Sequence, residues 1–108
     1  MADGVEVVVK DAPERRRFEA WVGDRLAGFA QYRREPGLLV LTHTEVKPEF
    51  EGGGVGGRLA QEVLDAARSE GVDVNPQCPF ISAWIARHPD YLDLVPERWR
   101  SAVTGRRR

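Results

Sequence analysis

Glu51 to Leu59 reads EGGGVGGRL, and the fold turns on how this stretch is read. Glycines permit conformations closed to other residues and let backbone amides approach a ligand closely. The residues after it are helical in pattern. Val55, Leu59, Val63 and Ala66/Ala67 fall on one stripe, and Arg58, Gln61, Glu62, Asp65 and Arg68 on the other. Gly71, just past the pattern near Ser69, suits a C-cap. The residues before it alternate as a strand, so the cluster joins a strand to a helix. The first four N–H groups of a helix have no internal partner, and with the helix dipole they form a site for phosphate. Gly52 to Gly57 is therefore a candidate phosphate cradle, with a merely flexible loop as the alternative.

Two better-known glycine motifs do not fit. A P-loop needs Gly-Lys-Ser/Thr after its spacer, whereas Gly57 is followed by Arg58-Leu59. A dinucleotide fingerprint needs an opening βαβ unit, and here extended patterns come first. Glu6 to Lys10 holds three consecutive valines and suits a short strand. Arg16 to Val22 alternates, with Phe18, Ala20 and Val22 on one face and Glu19 and Trp21 on the other. Gly23-Asp24 is a hairpin signal leading into Arg25 to Arg33. Glu35-Pro36-Gly37 makes the next turn, and Leu38 to Val46 is the longest apolar run. The first half reads as an antiparallel meander of four strands.

Beyond the long helix, Val72 to Asn75 suits a brief strand. Pro79 to Arg87 suits a second, shorter helix, with Pro79 at its first position and Pro89 beyond its end. From Tyr91 the expectation is irregular chain and a basic tail over 105–108. The fold class is mixed α/β, on a mostly antiparallel sheet.

Length and composition bound the rest. The 108 residues fit one domain, with an ordered core over about 5–96. Charged residues at 31% and apolar residues at 42% describe a soluble globular chain. The formal net charge is −1, of which the terminal Arg106, Arg107 and Arg108 supply +3, so general nucleic-acid affinity is not expected. One cysteine and two histidines exclude an intrachain disulfide and argue against a protein-made zinc cage. No run suits a signal peptide or membrane span, so the expected setting is cytoplasmic. A monomer or weak homodimer is expected.

The glycine turn resembles the pyrophosphate motif of the GNAT superfamily of acyl-CoA-dependent N-acetyltransferases, Gln/Arg-x-x-Gly-x-Gly/Ala, at Glu51-x-x-Gly54-x-Gly56. Glu51 departs from the usual Gln or Arg, which leaves binding to the backbone amides. Small single-domain members resemble this chain from roughly Val7 to Val95. The shared tags are His43-Thr44-Glu45-Val46, Val74 to Phe80 around Cys78, and Arg87-His88-Pro89-Asp90-Tyr91 with Leu94-Val95. The resemblance implies a GNAT-like sheet with a splayed central strand pair and its first helices trimmed. It also implies acetyl-CoA as cofactor, an amine acceptor, and an oxyanion-binding amide around Thr44 to Val46. The expected cofactor contacts are Val46, Gly52, Gly53, Gly54, Val55, Gly56, Gly57 and Tyr91.

Acetylating an amine of pKa near 10.4 at pH 7 costs about 4–5 kcal/mol in deprotonation, which a base can ease. His43 and Glu45, two apart on a strand, are expected on one face together with Leu39 and Leu41. They are candidates for acceptor-side chemistry, or else a strand-end cap and a surface ion pair. Cys78, before Pro79, is an N-cap candidate where a helix dipole favours thiolate. It could accept the acetyl group, protonate the leaving thiolate, or pack as a small hydrophobe. Tyr91 is a second candidate proton donor, and His88 suits a helix end. Trp21, Trp84 and Trp99 read as packing or interface residues.

Overall fold

Short turns fold the first half of the chain back on itself. A computed structural model describes residues 6–104 and gives β1 (Val8–Ala12), β2 (Arg17–Val22), β3 (Arg25–Glu35) and β4 (Leu38–Val46). Gly23 and Gly37 take φ of 59° and 69° in the two tight turns, where any Cβ would be strained. The second half supplies α1 (Val55–Glu70), β5 (Asp73–Pro76), α2 (Pro79–Arg87) and α3 (Glu97–Thr104). The sheet order is β1-β2-β3-β4-β5, antiparallel except for the parallel β4–β5 pair.

That parallel pairing is brief. It joins Leu38–Leu41 to Asp73–Pro76, and the Cys78 amide donates to Leu41 O at 2.9 Å. The chain then turns into α2, so β4 from Thr42 to Val46 has no strand on that side. The strands splay. On its other side β4 stays paired to β3 as far as Val46, through a bulge that leaves Thr42 as the extra residue.

One apolar cluster joins the inner sheet face (Phe18, Ala20, Ala30, Tyr32, Leu39, Leu41) to α1 through Leu59, Val63 and Leu64 and to α2 through Ile81 and Ile85. The amphipathic stripe of α1 is thereby buried, and Gly71 closes the helix at φ 73° with its amide on Ala67 O and Arg68 O.

Two expectations need correction. The chain after Tyr91 is ordered: Pro89–Leu94 forms a 3₁₀ segment, and α3 brings Val103, 6% exposed, and Trp99 to the core. Trp99 and Val103 are one helical turn apart, a pattern of two residues too short to read without the surface they cover. The core thus passes residue 96, and the expected tail at 105–108 lies outside the described residues.

The second correction concerns His43 and Glu45. Residues paired across antiparallel strands share a face, and Tyr32 pairs Leu41 whereas Gln31 pairs His43. The bulge at Thr42 inverts the alternation. Leu39 and Leu41 face the core, whereas His43 and Glu45 lie on the opposite face with Gln31 and Phe29.

Candidate active site

The glycine turn is built by three local devices. Pro48–Phe50 forms one 3₁₀ turn, whose end is held by the Gly53 amide on Phe50 O at 3.3 Å. Gly52 and Gly54 then take φ of 85° and 83°, in the left-handed region. Gly54 is the N-cap of α1 and carries no side chain, so its neighbours' amides face outward unobstructed. The first helical bond runs from the Arg58 amide to Gly54 O at 3.0 Å. The amides of Val55, Gly56 and Gly57 consequently have no acceptor within the helix.

Beside this turn lies a hollow of about 380 Å³, lined by Thr44, Val46, Phe50, Glu51, Gly52, Gly54, Val55, Gly56 and Phe80. It opens where β4 and β5 part. Lys47 donates to Ala27 O at 2.8 Å toward β3. Amides alternate along a strand, so those of Val46 and Thr44 point the other way, into the gap. Helices α1 and α2 meet closely at its wall: a Cβ on Gly56 would stand 2.7 Å from Phe80 Cζ.

Cys78 is the N-cap of α2, is 3% exposed, and donates its thiol hydrogen to Thr44 Oγ1 at 3.3 Å. Thr44 lines the hollow, so Cys78 stands behind it. Tyr91 lies elsewhere. Its hydroxyl donates to Asp65 Oδ1 at 2.8 Å and its ring packs 5.2 Å from Trp84. That hydrogen bond, with some burial, raises the Tyr91 pKa. His88 ends α2, with Nδ1–H donating to Trp84 O at 2.8 Å and its ring stacked on Trp84 at 3.8 Å.

On the outer face, His43 Nε2 is 3.5 Å from Glu45 Oε1, and both side chains are exposed. The His43 ring lies 6.1 Å from Phe29, over which Arg17 stacks at 4.5 Å. Arg17 in turn donates at 2.8 Å to Glu19, which also accepts from Arg15 and Trp21. Burial opposes the charge of Glu19, but these three donors and the Arg17 charge outweigh it and lower its pKa.

The hollow thus brings together Val46, Gly52, Gly54, Val55 and Gly56, with Cys78 one bond away, and leaves Gly53, Gly57, Tyr91, His43 and Glu45 outside its lining. Phe50, Glu51 and Phe80 line it although the sequence did not mark them as contacts, and so does Thr44, which was expected only for a backbone amide in the Thr44 to Val46 range. Glu51 had a signal, as the first motif position; the Thr44 side chain had none, because only the bulge turns it inward. Among the described residues, no group of three or more His, Cys, Asp or Glu side chains is gathered to hold a metal ion.

This strand–glycine turn–helix beside a splayed strand pair agrees with a sequence comparison. A family model described as GCN5-related N-acetyl-transferase matches residues 17–94. The chain belongs to that family. The matched span of the acetyltransferase model runs from β2 through the 3₁₀ segment at Pro89–Leu94, and so contains the hollow and the splayed pair. The sheet and helices accord with a GNAT-like fold. No curated protein matches the chain significantly. No helix among the described residues is long and apolar enough to cross a membrane.

Proposed function

We propose that this family member is an acetyl-CoA-dependent N-acetyltransferase that acts on an amine, as a single domain. The observation that carries the reading is the gap between β4 and β5 beyond Leu41, with the glycine turn at its mouth. Coenzyme A fits that cradle on two grounds. The Gly52 and Gly54 positions offer open space where a Cβ would stand, and the α1 amides lie bare beside a 380 Å³ hollow. Acetyl-CoA would supply an activated acyl thioester.

The chain's own residues divide the remaining work between two faces. The amides of Gly52 to Gly57, apart from that of Gly53, which is bonded to Phe50 O, would hold the pyrophosphate, with the α1 dipole behind them. The Val46 amide, facing the gap, would be the donor to the oxygen of a bound thioester, where negative charge develops. On the outer face, His43 accepts the proton that the acceptor ammonium must lose, and Glu45 orients its ring. The leaving thiolate would take its proton from solvent, with Thr44 Oγ1–H on the hollow's wall as its hydrogen-bond donor. Cys78 donates to that same oxygen. Its burial favours polarising Thr44 over covalent capture of the acetyl group, and Tyr91 holds the 3₁₀ segment against α1 through Asp65.

Thiol release from acetyl-CoA across a panel of amines tests the reading. Amine-dependent release is expected. Saturable acetyl-CoA binding with no release on any amine would make the chain a CoA-binding module instead.

A further inference from the structure

Two adjoining hollows of about 320 and 410 Å³ lie far from the glycine turn. Arg16, Tyr32 and Arg33 line both, Arg15 and Arg34 extend the wall, and no carboxylate lines either. Arg34 pairs at 2.9 Å with Glu70, the last residue of α1, whereas the glycine turn begins that helix. A helix of 16 residues spans roughly 24 Å, so these arginines are not part of the pyrophosphate cradle.

They are close to His43 instead. Gln31 and Thr42 line the larger hollow, Thr42 precedes His43, and Gln31 is the cross-strand partner of His43. Paired residues have Cα atoms about 5 Å apart. The larger hollow therefore adjoins the face where His43 stands.

Arg16 is what sets this surface apart. Arg15, Arg33 and Arg34 are committed to Glu19, Glu35 and Glu70 respectively. Arg16 is exposed and has no ion-pair partner among the described residues. It alone of the non-glycine residues described has positive φ, at 55°, a conformation that costs about 1–2 kcal/mol. Its backbone is pinned there by its amide on Pro13 O at 3.1 Å and by the Tyr32 amide on its own carbonyl at 2.9 Å. Guanidinium groups present a planar fork of donors that matches carboxylate and phosphate oxygens.

We propose that the arginine-lined hollow beside His43, with Arg16 as its uncommitted cation, binds the anionic end of the acceptor, an amine that also carries a carboxylate or a phosphate. This inference rests on the transferase reading for the word acceptor, and on the hollow itself for the anion. Two measurements keep those apart.

Amide NMR spectra of the full chain are titrated with inorganic phosphate and, separately, with glutarate. Saturable shifts at Arg16, Gln31 and Thr42 are expected, and they should be lost in Arg16→Gln/Arg33→Gln. Absence of such shifts with both anions, or their persistence in the double variant, would overturn the inference whatever the enzyme does at its glycine turn. Acetyl transfer is then compared for 4-aminobutyrate against its amide, and for phosphoethanolamine against 2-methoxyethylamine. The charged member of at least one pair should be preferred, which also tells carboxylate from phosphate. Arg16→Gln should lower that preference in kcat/KM about tenfold, the order expected for one charged hydrogen bond. Equal use of charged and neutral amines would overturn the acceptor role. Anion binding at the hollow with no transfer to any amine would overturn it too, and would do so by removing the transferase reading.

Discussion

Gly54 sits at φ 83° with nothing within 4 Å of where a Cβ would be, so its substitution costs backbone strain and no clash. Gly54→Asp should therefore lower stability by only about 1–2 kcal/mol. It places a carboxylate against the bare amides of α1, and coenzyme A affinity should fall by two orders of magnitude or more. Calorimetric titration beside a thermal melt checks both, and an unchanged dissociation constant would remove the pyrophosphate from this turn. Glu51 makes the converse case. Glu51 lines the hollow, and like charges repel there, so Glu51→Gln should tighten coenzyme A several-fold, more at low than at high salt. A third test separates the roles open to Cys78. Cys78→Ala should reduce transfer about tenfold through Thr44, and Cys78→Ser, which keeps a donor, should restore most of it. An acetyl adduct on Cys78 after incubation with acetyl-CoA would show covalent transfer instead.

Elements were legible wherever one local signal sufficed. Gly23-Asp24 and Pro36-Gly37 set their turns, and β4 and α2 run as their apolar patterns and prolines indicated. What depends on a partner was not legible. The bulge at Thr42 is a property of the β3–β4 register, and it moved His43 and Glu45 to the outer face while turning Thr44 inward. The candidate site was for that reason half readable: its glycine turn is local, and its strand residues are sorted by a distant pairing. Helix α3 was missed because Trp99 and Val103 acquire meaning only against the core. Its contribution is measurable. Val103→Ala removes two buried carbons' worth of apolar burial, and stability should fall by about 1.6 kcal/mol. A loss near zero in urea denaturation would show α3 to be detached in solution.

At the scale of the whole molecule, the β1–β3 side of the sheet is locked by two polar knots that respond to opposite ends of the pH range. Tyr32 donates to Asp11 Oδ1 at 2.6 Å, tying β3 to β1 across β2. Glu19, 5% exposed, gathers Arg15, Arg17 and Trp21. For Glu19, burial works against ionisation, but the bonds from Arg17, Arg15 and Trp21 prevail, and its folded pKa lies below the usual carboxylate value. A depressed pKa contributes stability above the unfolded value of about 4.3, and that contribution is lost as pH falls through the folded pKa. For Tyr32, burial first and then the Asp11 hydrogen bond and charge push the pKa up to about 12. A raised pKa contributes stability that is whole below the unfolded value of about 10 and is lost as pH rises from there toward 12. The two knots therefore predict different variants with different pH signatures. Glu19→Gln should cost roughly 1–3 kcal/mol at pH 7, and the gap from the unmodified chain should narrow as pH falls below the unfolded value of about 4.3 and on through the folded pKa. Tyr32→Phe should flatten the alkaline limb between pH 10 and 12 and leave the acid limb as it was. Chemical denaturation midpoints measured from pH 2 to 12 decide the matter. If Glu19→Gln stays equally destabilised at pH 2, packing and not the carboxylate's charge holds β2 in place.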